Sequence, residues 1–236
     1  GDGTNWSALG SDGASNGSLN NSVFAIAISG TDVYVGGGFT NVNNNGTSLT
    51  AADYVAKWNG SAWSALGSNG ASNGSLGFSV YTIAISGTDV YVGGLFLNVN
   101  NNGTSLTAAD YIAKWDGTNW SALGSDGAGN GSLNNTVFAI AISGTDVYVG
   151  GFFLNVNNNG TSLTAADYVA KWNGSAWSAL GSNGASNGSL NYSVFALAIR
   201  GTDVYVGCHL PKSDHNATPL SAAACRPQRQ QHHHPH

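Results

Sequence analysis

The sequence predicts an all-β fold: a β-propeller of four-stranded antiparallel blades with a 57-residue repeat, about four blades in the chain. Three observations predict it. WSALGS recurs at Trp6, Trp63, Trp120 and Trp177, and GTDVYVG at Gly30, Gly87, Gly144 and Gly201, both in steps of 57 residues. A third motif, AADY[VI]AKW, ends at Trp58, Trp115 and Trp172. No stretch combines helical periodicity with caps, whereas short alternating β-rich segments fill every unit. Such units bury their faces only by stacking on one another, which is how propeller blades shield their edges.

Within the first unit the expected strands are Val23–Ser29, Val33–Gly37, Tyr54–Trp58 and WSALG from Trp63. The first strand places Phe24, Ile26 and Ile28 on one face and Val23, Ala25 and Ala27 on the other. Both faces are apolar, as suits an inner strand packed between neighbouring blades. Turns SGTD and NGSA or DGTN link the strand pairs, and Asp32, Asp89, Asp146 and Asp203 read as caps of the SGTD turns. The units run near 1–57, 58–114, 115–171 and a truncated 172–207. Because the pattern begins in a fourth strand, Trp6–Gly10 is expected to complete the last blade and close the ring. Units one and three read DGTNW and SDGA, while two and four read NGSAW and SNGA, a two-unit period that favours an even blade number. Four units are expected to close alone, or two chains to pair as a homodimer completing a larger ring.

Residues 208–236 break the pattern abruptly and hold every Cys, His and Pro of the chain. The expectation is a frame-shifted, vector-derived or disordered end. The opening at Gly1, with no signal-peptide-like run, reads as a trimmed start.

Composition narrows the function classes. Charged residues are only 8% against a usual share of about 25%. A net charge of −5 lacks the basic footprint that nucleic acid requires. No apolar run reaches the ~18 residues of a membrane span, so no membrane insertion is expected.

The pattern WSALG…VxAxAxxGTDVYVGGxF…YxAKWxGxxW resembles the kelch-like repeats of bacterial extracellular and cell-surface propellers. It is also similar to repeats of fungal cell-surface polarity markers. The resemblance covers about 207 residues and implies the propeller fold and an extracellular or cell-surface location. It departs from the shorter family repeat by the inserted NVNNNGTSLTAAD loop.

Catalysis is not expected. Acid–base and nucleophilic chemistry draw on His, Glu, Cys, Lys, Asp or an activated Ser. The repeats offer only Asp and one Lys per unit, Lys57, Lys114 and Lys171. The His ligands and Tyr–Cys pair of kelch-fold copper oxidases cannot be assembled, and neither a metal nor another cofactor is expected. The run Asn41–Gly46 has the outline of a calcium loop, but neutral Asn replaces the carboxylates and Ala52 stands at the twelfth place. A tight turn with Asn side chains on their own backbone is the simpler reading.

The long 2–3 and 4–1 connections share one face of the ring, and long loops in compact domains carry function more often than short ones. The candidate ligand contacts are therefore Asn43, Asn45 and Asp53, repeated as Asn100, Asn102 and Asp110, and as Asn157, Asn159 and Asp167. Their amide and hydroxyl surroundings suit glycans or a cell-surface protein. The expectation is a non-enzymatic binding module; the alternative is a structural or assembly repeat protein with no small-molecule ligand.

Overall fold

Alternation of apolar residues and paired glycines builds the same unit again and again. The computed structural model describes residues 3–208. Of the predicted tail 208–236 only Cys208 is described, the rest lying outside the described residues, and it ends a strand paired with Val194 rather than lying beyond the repeat. Unit one comprises β1 (Val23–Ser29), β2 (Asp32–Gly37), β3 (Val42–Asn44), β4 (Thr47–Leu49), β5 (Val55–Trp58) and β6 (Trp63–Ala65). Unit two repeats them as β7 (Val80–Ser86), β8 (Asp89–Gly94), β9 (Val99–Asn101), β10 (Thr104–Leu106), β11 (Ile112–Trp115) and β12 (Trp120–Ala122). Unit three comprises β13 (Val137–Ser143), β14 (Asp146–Gly151), β15 (Val156–Asn158), β16 (Thr161–Leu163), β17 (Val169–Trp172) and β18 (Trp177–Ala179). Unit four has β19 (Val194–Arg200) and β20 (Asp203–Cys208) among the described residues.

Each complete unit is a four-stranded antiparallel sheet, ordered β1-β2-β5-β6 in the first, with a separate two-stranded hairpin such as β3-β4. The four sheet strands fall where the alternation predicts them. The hairpin does not appear in the sequence reading, because its strands are short and polar. It is folded by Asn45 and Gly46, both at positive φ (52° and 91°), between the paired Asn44 and Thr47. That backbone is the primed two-residue turn that matches strand twist.

Two further expectations change. Asp32 is not a turn cap: its carboxylate accepts from Lys57 Nζ on β5 at 3.2 Å, a cross-strand ion pair repeated by Lys114–Asp89 and Lys171–Asp146. The SGTD turn is instead made by Gly30 at φ 60°, between the paired Ser29 and Asp32. Nor does Trp6–Gly10 pair with the last unit. β19 and β20 stand as a two-stranded sheet and Trp6 is 99% exposed.

Units stack through their first strands: β1 lies against β7, β7 against β13, and β13 against β19. The junction is a knob in a socket. A Cβ on Gly36 would stand 2.5 Å from Val80 Cγ1, and one on Gly93 or Gly150 would stand 2.4 Å from Val137 or Val194 Cγ1. Only glycine admits the valine of the next unit, and Val80, Val137 and Val194 are fully buried there. Tyr34, Tyr54, Val55 and Leu66 of unit one then pack with Val80, Val92, Phe96 and Trp120 of unit two in one core. An indole hydrogen bond crosses the first two junctions, from Trp120 Nε1 to Leu66 O at 2.8 Å and from Trp177 Nε1 to Leu123 O at 2.7 Å.

The socket gives a direct test. Gly93→Val should destabilise by about 1–3 kcal/mol through overpacking against Val137. At the matching Gly207 a Cβ would stand no closer than 3.2 Å, from Ala196 Cβ, to any described residue of another strand, so Gly207→Val should cost far less. Equal losses in urea melts of the two variants would contradict the socket.

Candidate functional site

The long loops are held by backbone bonds before any side chain reaches outward. In unit one Asn43 N donates to Ser18 O at 2.8 Å and Asn45 N to Ser11 O at 2.9 Å, laying the hairpin on the 4–1 loop. Asn43 and Asn157 accept Gly46 N–H and Gly160 N–H on their side-chain oxygens at 2.7 and 2.8 Å, and Asn100 does the same for Gly103 at 2.7 Å. Asn45, Asn102 and Asn159 are the exposed left-handed corners of the hairpins, at φ 51–52°.

The predicted aspartates have a different task. Asp53, Asp110 and Asp167 are buried, 8% exposed each. Asp53 accepts Asn41 N–H on Oδ1 at 2.9 Å and, on Oδ2 at 3.0 Å, the N–H of Gly74 in the next unit. Asp110 repeats this with Asn98 and Gly131, and Asp167 with Asn155 and Gly188. Both carboxylate oxygens are engaged, so these residues brace one unit to the next and hold the loops in place.

Beside these braces lie repeated grooves. One of about 290 Å³ is lined by Asp53, Tyr54, Asn69, Asn73, Gly74, Leu76, Gly77, Leu97, Asn98 and Asn100. A second, of about 400 Å³, is lined by Asp167, Tyr168, Asn183, Asn187 and Gly188 with Leu154, Asn155, Leu190 and Asn191. They bring Asn100 together with Asp53, and leave Asn43, Asn102, Asn157 and Asn159 outside. Asn45 borders a separate depression with Ser11 and Asn16.

The tyrosines are the residues that sequence reasoning missed. Tyr54, Tyr111 and Tyr168 have φ of 62–63°, a left-handed backbone that bulky residues rarely adopt and that costs of order 1–3 kcal/mol. The strain is held by Tyr54 N–H on Phe39 O at 2.8 Å and Gly37 N–H on Tyr54 O at 2.9 Å. Burial, then the charge of Asp110, push the Tyr111 hydroxyl above its ordinary pKa.

The two-unit alternation acts at these grooves. In odd units Asp12 and Asp126 accept backbone N–H groups on Oδ1 and also Asn16 and Asn130 Nδ2 on Oδ2, at 3.0 and 3.1 Å. Those bonds, the backbone ones first, hold both carboxyls below the usual range. In even units Asn69 and Asn183 keep the Oδ1 contacts but have no second carboxylate oxygen. Asn73 and Asn187 therefore have no side-chain hydrogen bond among the described residues, and both line the grooves. The same units carry Phe78 and Tyr192 where odd units carry Asn21 and Asn135, and Phe78 is 58% exposed. That swap was visible in the aligned repeats, in the same two-unit period.

Among the described residues no group of three or more His, Cys, Asp or Glu is placed to hold a metal ion. No family model matches the chain, and no curated protein matches it. Among solved structures it is similar to the computationally designed Ika4 protein, at 13% identity and TM-score 0.39, covering 80% of this chain and 86% of that one. It is also similar to the computationally designed Ika8 protein, at 13% identity and TM-score 0.35, covering 80% of this chain and 56% of that one. At these values the likeness carries no argument about function.

Proposed function

We propose that the chain is a non-enzymatic binding module of the propeller type, acting outside the cell or at its surface, that takes neutral carbohydrate in the grooves of its even units. The observation that carries this reading is the pair of unengaged amides, Asn73 and Asn187, each in a groove with a tyrosine, Tyr54 or Tyr168. An amide offers both donor and acceptor without charge, as sugar hydroxyls require, and an aromatic ring offers an apolar face. The grooves are open and shallow, which suits weak contacts strengthened by repetition along one chain.

A neutral-glycan array followed by titration calorimetry tests it. Asn73→Ala with Asn187→Ala should lower affinity for the best glycan about tenfold or more, near 1.4 kcal/mol. Asn16→Ala with Asn130→Ala, in the odd units, should leave it unchanged. No glycan bound above background, or equal losses in both pairs, would overturn the reading. A second reading, an assembly protein, is favoured by the exposed apolar faces of the end units.

A further inference from the structure

Units one and four present the two halves of a junction that the chain forms three times internally. Val80, Val137 and Val194 are fully buried knobs, whereas Val23, the same position in unit one, is 38% exposed. Gly36, Gly93 and Gly150 are filled sockets, whereas Gly207, their counterpart in unit four, has no further unit against it among the described residues. The surrounding faces follow suit. Ile83, Ile85, Ile140 and Ile142 pack into cores, but Ile26 and Ile28 are 63% and 69% exposed. Tyr34 and Tyr91 pack against the next unit, but Tyr205 is 52% exposed.

We infer that a second copy of this chain docks head to tail here, with Val23 of one copy seated at Gly207 of the other. Three observations select a second copy as the occupant. First, the junction needed is one that this sequence already makes: even unit followed by odd unit, as between units two and three. Second, an aromatic ladder runs along the first strands through Phe24, Tyr81, Phe138 and Phe195, with ring centroids 5.5, 5.7 and 4.8 Å apart. It stops at rings that are 52% and 51% exposed, and the docked copy continues it by setting Phe24 beside Phe195. Third, Trp63 Nε1 donates to Leu9 O at 2.9 Å, the bond that Trp120 makes to Leu66 of the preceding unit. The segment before unit one therefore already sits where the preceding unit's fourth strand lies. The interface is heterologous, so two copies satisfy both halves in a closed pair where the rotation along each chain closes the ring.

Sedimentation analysis of the full chain with two kinds of blocked variant tests this. The first, Ile26→Lys with Ile28→Lys, spoils the unit-one face. The second spoils the unit-four face, as Gly207→Arg or separately as Tyr205→Lys. All four positions lie on the open end faces, and circular dichroism with a thermal melt checks that each variant folds. The wild type should sediment as a dimer and each variant as a monomer. An equimolar mixture of the two kinds should recover the dimer mass, since each keeps the half that the other lacks. The inference is overturned by a monomeric wild type, whether its end faces close on each other or are covered by residues 209–236. Variants that keep the wild-type mass, or a mixture that stays monomeric, overturn it as well.

Discussion

Trp120→Ala should destabilise the protein by about 3–5 kcal/mol, while Trp6→Ala, at the equivalent place one end of the chain earlier, should be nearly silent. The two residues carry the same motif and differ only in surroundings. Trp120 is 2% exposed, stands 5.4 Å from Trp115 in a tilted pair, and reaches across the junction to Leu66 O. Removing it opens a cavity in the core shared by two units and strands a buried carbonyl. Trp6 is 99% exposed. Trp120→Phe separates the two contributions, because it keeps most of the ring volume and loses only the indole donor; its cost should be about 1–3 kcal/mol. Chemical denaturation followed by circular dichroism reads all three, and a Trp6→Ala loss comparable to that of Trp120→Ala would contradict the account.

Asp110→Ala should cost roughly 2–4 kcal/mol, and Asp110→Asn most of that, despite the near-identical shape of the amide. The reason is that both carboxylate oxygens accept backbone N–H groups, from Asn98 at 2.9 Å and Gly131 at 3.0 Å. Asparagine keeps one acceptor and turns an NH₂ toward the other N–H. The Gly131 bond is buried, so no water takes over. The equivalent exchange at Asp12, Asp12→Asn, should be mild, because Asn69 and Asn183 already stand at that position in even units. Thermal melts of the three variants decide it; a harmless Asp110→Asn would mean that the brace contributes little.

That contrast also explains how far the sequence could be read. Strands were legible because VFAIAIS and VYVGG alternate in a period of two and are bounded by glycine turns. The hairpin β3-β4 was not, since the apolar side chains of VNN and TSL are Val42, buried, and Leu49, half-buried, and no more. Its marker was the Asn45-Gly46 dipeptide. At the candidate site, Asp53 was legible as special but not as buried. Its role depends on Gly74, 21 residues away in the next unit, and composition says nothing about that distance. Asp32 shows the same limit, since its partner Lys57 lies on a strand that the turn motif does not mention. The informative signal was the difference between positions. Asp12 and Asp126 alternate with Asn69 and Asn183, where a single oxygen still holds the turn, whereas Asp53, Asp110 and Asp167 stay Asp because both oxygens accept backbone N–H groups.

The hairpin turn has a consequence for chemical ageing. Asn followed by Gly is the dipeptide most prone to deamidation, because the glycine nitrogen meets little steric hindrance when it attacks the asparagine side-chain carbonyl to form a succinimide. This chain exposes that dipeptide at Asn45, Asn102 and Asn159, the corners of its three hairpins. The attacking nitrogen is not idle there: Gly46 N–H is held by Asn43 Oδ1 at 2.7 Å, and the bond recurs at Gly103 and Gly160. While that bond is made, the proton that the nitrogen must lose to attack is held by a neighbouring amide oxygen. Asn43, Asn100 and Asn157 therefore act as chemical preservatives of the turn as well as parts of it.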